Sequence, residues 1–335
     1  MLTAETEYVY AVGRIRAIEK KLLDKSGIER MLDAKSPEEA LKVLVDAGYG
    51  SNVGDASNPF HYENLLKEEQ KKVFKLLKEI APEPEVFDLF LLRNDYHNIK
   101  TVLKAEFLGQ DSSDILVDSG SIEVNKLKAM IRDRNFKEIP EIMKEAIEEC
   151  MDLFNRTGDP QVIDVILDKA NFRQMKEKAE ESKYSFLINI VENMIDLTNI
   201  KIFLRTRNVG KSWDAIQKML LPGGTVENSL FFESMNDSLE DFIKKLKQKP
   251  YGAICEEGIE SFKNTGSFTG FEKLVDNYMI SLVKKAKYKA FGIEPLIGYL
   301  IAKENEIKNA RIVMVGKINN IPNEVIKERL RETYV

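Results

Sequence analysis

Residues 139–154 read Ile-Pro-Glu-Ile-Met-Lys-Glu-Ala-Ile-Glu-Glu-Cys-Met-Asp-Leu-Phe, and their pattern decides the fold. The apolar residues recur at steps of three and four, which places them on one face of a helix. The glutamates fall on the opposite face, as is typical of a solvated side. Alternation with a period of two is short elsewhere, and its clearest case, residues 311–315, fits a buried helix equally well. The sequence therefore predicts an all-α fold.

Capping signals and glycine-rich gaps indicate where helices begin and end. Ser36, followed by Pro37 and Glu39, predicts a helix start closed by a capping box. Loops are predicted where glycine and small polar residues cluster, at residues 48–59, 109–121, 222–228 and 251–270. The last of these is long enough that we expect local order or a function there.

The composition indicates a charge-dense globular protein and excludes several classes. Of the 335 residues, 43% are hydrophobic and 31% are charged. Lys and Arg total 50 against 55 Asp and Glu, and this net charge of -5 gives no support to a nucleic-acid binder. Two cysteines cannot form a disulfide framework, which suits a reducing cytosolic setting. The apolar runs are far shorter than a membrane span, and the first residues lack a signal-peptide pattern, so we expect no transmembrane segment.

An internal repeat organises the chain. Asn98-Ile99-Lys100, Asn199-Ile200-Lys201 and Glu306-Ile307-Lys308 follow one another at nearly constant spacing, with matching apolar positions before and after each isoleucine. The period is too long for tetratricopeptide or HEAT units. We predict three related helical repeats: residues 1–112, 113–220 and 221–335. They can be arranged in line or around a pseudo-threefold axis, and the second arrangement encloses a hollow suited to gripping a rod.

The residue types that carry chemistry are sparse. Gly210-Lys211-Ser212 looks like the end of a phosphate-binding loop, but the glycine required five positions earlier is Arg205, so a helix end is favoured. Zinc sites draw on several Cys or His ligands, and His61 is isolated in a predicted loop, so His97 is interpreted as a hydrogen-bonded residue on a helix face. Cys150 lies in the apolar stripe, where a free cysteine acts as a small hydrophobe. We predict no catalytic residue, no cofactor and no metal site.

Basic charge is concentrated near the end of the chain. Four lysines between residues 284 and 289 form the densest cluster, beside Tyr288 and Phe291. A solvated helix face explains such a cluster, and so does a docking surface for an acidic partner or anionic headgroups. The candidate interface residues comprise this lysine cluster and the charged residues that recur on the repeat helices. They are Arg93, Asp95, Arg205, Arg207, Lys284, Lys285, Lys287, Lys289, Lys303 and Arg311.

Three segments resemble one known family. Residues 91–100, Leu-Leu-Arg-Asn-Asp-Tyr-His-Asn-Ile-Lys, resemble the signature of the C subunits of bacterial and archaeal V/A-type ATPases, which are relatives of the d subunit of eukaryotic V-ATPases. Residues 8–16 resemble the start of that family. Residues 304–311, continuing through Gly316 and Pro322, resemble its C-terminal part. The resemblance therefore covers essentially the whole chain.

The resemblance implies three helical domains around a pseudo-threefold axis, funnel-like with a central cavity. It implies a non-catalytic rotor subunit, one copy per complex, peripheral on the cytoplasmic side of the membrane. Its partners are then the central shaft, made of the D and F subunits, and the membrane proteolipid ring, with torque passing between them and no nucleic acid involved. Two other functions stay open: a helical scaffold that binds a soluble partner outside any membrane complex, and an enzyme that uses the Gly-Lys-Ser turn or scattered carboxylates.

Overall fold

The regular structure is entirely helical in the computed structural model, which describes residues 7–50, 58–109 and 115–335. The predicted all-α fold is confirmed. The chain divides into two compact units: unit 1 comprises Met1–Pro84 with Ser238–Val335, and unit 2 comprises Glu85–Asp237. The three repeats, with boundaries at residues 112 and 220, and their arrangement as a funnel stay a prediction.

The α-helices follow one another through both units, with short 3₁₀ turns between some of them. In chain order they are α1 (Val9–Ile18), α2 (Lys25–Asp33), α3 (Pro37–Asp46), α4 (Tyr62–Ile80), α5 (Asp88–Leu108), α6 (Val124–Asp133), α7 (Glu141–Thr157), α8 (Gln161–Ser182), α9 (Ser185–Asn208), α10 (Trp213–Met219), α11 (Asn228–Glu233), α12 (Leu239–Leu246), α13 (Gly252–Thr265), α14 (Thr269–Lys284), α15 (Glu294–Ile318) and α16 (Asn323–Arg329). The 3₁₀ turns are Glu19–Lys21, Pro59–His61, Pro84–Phe87 and Lys285–Tyr288.

Unit 1 is built around the long helix α15. Helices α1, α2, α3, α4, α14 and α16 pack against it. Its buried side chains occur all around the helix axis, as expected of a helix surrounded by protein. Residues 311–315 belong to α15, so the helical interpretation of that segment is right and a strand is not. Its centre also buries polar residues, of which Lys303, Glu306 and Asn309 bear on the function below.

Unit 2 is built around α8, against which α5, α7, α9 and α10 pack. Helix α7 covers most of the periodic segment 139–154, and it buries Met143, Ala146, Ile147 and Cys150 as the pattern predicts. Across the unit, Phe107 stacks on Phe154 with ring centroids 4.0 Å apart. The ring of the single tryptophan, Trp213, lies 5.3 Å from that of Phe232, so it is a packing residue within this unit.

The predicted cap at Ser36 is confirmed, with one difference in its partner. Ser36 Oγ accepts the N–H of Glu39 at 3.3 Å, and Pro37 is the first helical residue of α3. The Glu39 carboxylate accepts the N–H of Lys35 at 2.8 Å rather than that of Ser36. The reciprocal bond of the capping box is therefore made to the residue before the N-cap, and the helix start still has two capping hydrogen bonds.

The loop predicted at residues 251–270 is wrong, because α13 occupies most of it; the local order expected of so long a segment is confirmed and takes the form of this helix. Its glycines serve close packing rather than a chain break. A Cβ placed on Gly258 would lie 2.1 Å from Cδ2 of Phe271, so only glycine lets α13 approach α14 this closely. Residues 222–227 are irregular, as predicted. Parts of the other two predicted loops, residues 51–57 and 110–114, lie outside the described residues.

Candidate interaction surface and buried polar clusters

Each of the long helices α5, α9 and α15 binds a chain segment that returns along it. We call these segments strap 1 (residues 115–122), strap 2 (residues 220–226) and strap 3 (residues 330–335). In every case one buried asparagine donates its side-chain N–H to a strap carbonyl and accepts the N–H of the same strap residue. The pairs, with donor–acceptor distances of 2.7 to 3.0 Å, are Asn98 with Val117, Asn199 with Leu221, and Asn309 with Arg331.

An aspartate three residues before the asparagine holds straps 1 and 2 a second time. Asp95 accepts the N–H of Ile122 at 3.0 Å and the hydroxyl of Ser121 at 2.6 Å. Asp196 makes the equivalent bonds to the Val226 N–H at 3.0 Å and the Thr225 hydroxyl at 2.6 Å. Burial raises the pKa of Asp95, while its hydrogen bonds to the strap oppose that rise. Asp95 is therefore a buried structural residue that binds strap 1 to α5.

The hydrogen bonds align the three repeats differently from the match of their sequence triplets. The matched triplets pair Glu306 with Asn98 and Asn199, whereas the strap bonds make Asn309 their equivalent. The third copy is thus offset by three residues. With this offset, all three helices share a carboxylate followed three residues later by the strap-binding asparagine. This spacing is visible in the sequence and could have identified Asn199, Asn309 and Glu306 as structural residues.

Glu306, the carboxylate of the third copy, binds within unit 1 instead of holding a strap. It accepts the hydroxyl of Tyr49 at 2.5 Å and the N–H of Leu23 at 2.5 Å. The Lys303 ammonium lies 2.7 Å from Glu306, 3.0 Å from Glu69 and 5.1 Å from the centroid of the Tyr49 ring. This buried cluster ties α15 to α4 and to the segments that follow α1 and α3.

Burial and neighbouring charge shift the pKa values of this cluster upward. Burial opposes the charge on Lys303, but the carboxylates of Glu306 and Glu69 outweigh it and raise the Lys303 pKa. Burial, together with Glu306, raises the pKa of Tyr49 well above its ordinary value. Burial likewise raises the pKa of Tyr299 to about 12. Lys303 therefore acts inside unit 1 as the counter-ion of two carboxylates.

The other candidate arginines differ in how far they engage the chain itself. Arg311 forms a bidentate ion pair with Glu63, with its shortest N–O distance 2.6 Å, and thereby joins α15 to α4. The Arg207 guanidinium donates to the carbonyl of Asp237 and lies 5.9 Å from the centroid of Phe203. Arg93 on α5 and Arg205 on α9 are exposed. As an interface, all of these residues stay a prediction.

The four clustered lysines differ in exposure and in their partners. Lys287 donates to the carbonyl of Tyr334 at 2.5 Å and lies 4.3 Å from the centroid of that ring, and burial lowers its pKa. Lys284 lies 3.5 Å from Glu332. Lys285 and Lys289 are exposed, and neither makes a side-chain ion pair within the described residues. We call residues 285–291, which connect α14 to α15, the basic turn.

The residues weighed for chemistry lie in structural surroundings. Asn208 ends α9, and the N–H of Lys211 donates to the carbonyl of Thr206 at 3.0 Å, so the Gly-Lys-Ser segment is a helix end as predicted. His97 Nε2 hydrogen-bonds the carbonyl of Ile115 at 3.1 Å. Cys150 is buried, and burial raises its pKa to about 12, which disfavours the thiolate. Within the ranges that the structure describes, no cluster of His, Cys, Asp and Glu could hold a metal ion.

Unit 2 also contains an open polar pocket of about 610 Å³ beside strap 2. It lies between α8, which contributes Lys169, and α10, which contributes Asp214 and Lys218. Burial lowers the pKa of Lys169.

Among the helices described, none is both long and apolar enough to cross a membrane.

Known proteins resemble the chain over almost its entire length. Residues 11–329 match the family model described as ATP synthase (C/AC39) subunit. The C subunit of the V-type sodium ATPase of Enterococcus hirae is 28% identical over 320 residues, which cover 96% of this chain and 97% of that protein. The C subunit of the A-type ATP synthase of Methanocaldococcus jannaschii is 27% identical, covering 96% and 86% of the two chains. Its counterpart from Pyrococcus furiosus is 24% identical, covering 98% and 90%.

Proposed function

Because the chain belongs to the ATP synthase (C/AC39) subunit family, we propose that it is a non-catalytic rotor subunit of a V/A-type rotary ATPase. In this function it links the central shaft, made of the D and F subunits, to the membrane proteolipid ring and transmits torque for ATP-coupled ion transport. One copy serves each complex, peripheral on the cytoplasmic side of the membrane. The family match over residues 11–329 is the observation that carries the proposal.

The packing of the two units supports a mechanical function. A part that relays torque must resist bending, and a close-packed interior has low compressibility and transmits strain. Helices α15 and α8 each stand at the centre of their unit and contact several neighbours. The buried carboxylates Asp95, Asp196 and Glu306 all have hydrogen-bond partners, so they fix the elements around them instead of loosening the core.

We further propose that three related modules surround a cavity that receives the shaft. The asparagine–strap bonds on α5, α9 and α15 support a common origin of the three modules. Of the exposed candidate residues, Arg93 and Arg205 are the proposed contacts with neighbouring subunits, whereas Lys285 and Lys289 belong to the basic turn. Asp95 and Lys303, which are 0% and 5% exposed, contribute through the stability of their own units.

Co-purification tests the proposal. The full chain is expressed with tagged D and F subunits, and separately with the detergent-solubilised proteolipid ring. We expect the chain to be retained in both cases. We expect the double variant Arg93→Glu/Arg205→Glu to bind the shaft more weakly, with the loss largest at low salt, because salt screens exposed charges. The matched control is Arg132→Glu/Arg156→Glu, which changes the net charge equally at exposed arginines of α6 and α7.

The scaffold alternative makes the opposite prediction in the same experiment. A helical scaffold for a soluble partner is retained by neither the D and F subunits nor the ring. Failure of the unaltered chain in both pull-downs, at low and at physiological salt, would therefore contradict the rotor function. Retention of the unaltered chain with equal binding by Arg93→Glu/Arg205→Glu would eliminate those two positions as contacts.

A further inference from the structure

We propose that the basic turn, residues 285–291, binds the anionic headgroups of the membrane surface. Its sequence, Lys-Ala-Lys-Tyr-Lys-Ala-Phe, contains three lysines and two aromatic residues and no acidic residue. Tyr288 is 91% exposed and Phe291 is 48% exposed. Two aromatic residues are thus exposed within one seven-residue turn, and exposed apolar groups beside polar ones are typical of interaction sites.

The turn is held firmly from inside, which orients its outward side chains. Ala286 and Ile293 are buried beneath it. The guanidinium of Arg16, on α1, donates to the carbonyls of Ala286 and Lys289 at 2.8 and 2.9 Å. Lys287 points inward to Tyr334. A turn fixed in this way loses little conformational entropy when it binds, because its backbone is already ordered.

The outward group is Lys285, Tyr288, Lys289 and Phe291. Lysines near an anionic leaflet are attracted at about 1 kcal/mol each, and an aromatic side chain with a polar tip prefers the level of the headgroups. The chain as a whole carries a net charge of -5, so general attraction to an anionic surface is not expected. Binding must therefore come from a local patch, and this group combines the two properties that such a patch needs.

The size of the turn favours a lipid surface over a protein partner. A stable protein interface buries about 800 Å² on each side and involves some 20 to 30 residues. One seven-residue turn with two outward lysines and two outward aromatics provides much less. Peripheral membrane attachment needs no such area, since a few basic and aromatic side chains act together with other attachments. The proposed function adds those attachments by placing the chain beside a membrane.

Vesicle binding by the full-length chain tests the inference. We expect sedimentation with phosphatidylglycerol-containing vesicles at low salt, no sedimentation with pure phosphatidylcholine vesicles, and release at high salt. Lys285→Gln/Lys289→Gln should weaken binding about thirty-fold, which corresponds to about 2 kcal/mol. The control Lys42→Gln/Lys71→Gln changes the net charge equally at exposed lysines of α3 and α4 and should bind as the unaltered chain does.

A fluorescent probe locates the contact. Both natural cysteines are buried, so a polarity-sensitive thiol dye can be attached at Tyr288→Cys with little background. We expect a blue shift of the dye emission when phosphatidylglycerol vesicles are added. Phe60→Cys, at another aromatic residue of unit 1 that is 70% exposed, should show no shift.

Several results would overturn the inference. Absence of binding to anionic vesicles contradicts it, as do equal losses in the two double-lysine variants or equal shifts at positions 60 and 288. Suppose that the chain does not bind vesicles, and that of the two double-lysine variants only Lys285→Gln/Lys289→Gln fails to bind the proteolipid ring. The basic turn then binds an acidic protein surface, and the lipid proposal is wrong. Each of these results leaves co-purification with the D and F subunits intact, so it can be told apart from failure of the rotor function.

Discussion

At the level of single residues, each strap-binding asparagine makes two hydrogen bonds to the backbone of one strap residue. Asn199 is 1% exposed and bonds both the N–H and the carbonyl of Leu221. If the side chain is removed, both strap groups remain buried without partners. An unsatisfied buried group costs about 1–3 kcal/mol.

We therefore expect Asn199→Ala to lower the free energy of unfolding of unit 2 by about 2–4 kcal/mol. Urea denaturation followed by the fluorescence of Trp213, which lies in unit 2, measures the change. Asn208→Ala, at an exposed asparagine that ends the same helix, should change the free energy by less than about 0.5 kcal/mol. Similar losses in the two variants would show that the strap bonds contribute little.

Strap 2 leaves no space for a side chain at Gly224. A Cβ at this position would lie 2.2 Å from Oδ1 of Asp196. We expect Gly224→Ala to destabilise the protein by about 1–3 kcal/mol, because the carboxylate or the strap must move. The melting temperature measures the effect. Gly13→Ala, in α1 with nothing within 4 Å of the new Cβ, should instead stabilise the protein by about 0.5–1 kcal/mol.

The Lys303 cluster makes the fold sensitive to alkaline pH. Burial raises the pKa of Tyr49, as it does for Tyr299, and Glu306 and Glu69 raise that of Lys303 despite its burial. The folded protein thus holds protons that the unfolded chain releases above about pH 10. The stability from these groups is complete below that pH and is lost as pH rises, at about 1.4 kcal/mol per pH unit for each group.

Tyr49→Phe removes one of these titrating groups. We expect the variant to be less stable at pH 8, because Glu306 loses the hydroxyl that donates to it. We also expect its stability to fall less steeply between about pH 10 and 11, by about 1.4 kcal/mol per pH unit. Urea midpoints measured across this range provide the slopes. Tyr10→Phe, at a tyrosine that is 69% exposed, is the control, and parallel curves for Tyr49→Phe and the unaltered chain would refute the assignment.

At the level of elements, helices with one apolar stripe or a capping motif could be predicted from the sequence, because both are local signals. Helix α7 and the start of α3 are examples. Helix α13 could not be predicted in this way, since the reason for Gly258 is the ring of Phe271 on another helix. The inward orientation of Lys303 and Lys287 was equally invisible, because it depends on Glu69 and Tyr334, which are distant in the sequence.

Strap 3 fastens several elements of unit 1 at once. Arg331 bonds Asn309 on α15 and pairs with Asp276 on α14 at 2.8 Å, and the Glu332 N–H donates to Asn277. We expect truncation after Arg329 to increase amide hydrogen exchange in α14 and α15, while exchange in α8 stays slow. Hydrogen-exchange mass spectrometry checks this, and unchanged protection in α15 would contradict a fastening role for the strap.

At the level of the whole molecule, the sequence indicates the helical class, the repeat and the family. The register of the third copy was predicted wrongly, because the triplet containing Glu306 resembles those containing Asn98 and Asn199, while the strap bond selects Asn309. The division into two units was also not apparent, since unit 1 combines the first 84 residues with the last 98. Pairings over such sequence separations leave no local pattern to read.

The packing of Trp213 against Phe232 has a practical consequence for measuring these two bodies separately. The chain's only indole lies in unit 2, so intrinsic fluorescence follows the melting of that unit, while ellipticity follows both. If the two signals change together in denaturant, the units unfold cooperatively. If they change at different denaturant concentrations, unit 2 unfolds independently, and the difference between the two midpoints reports the difference in stability.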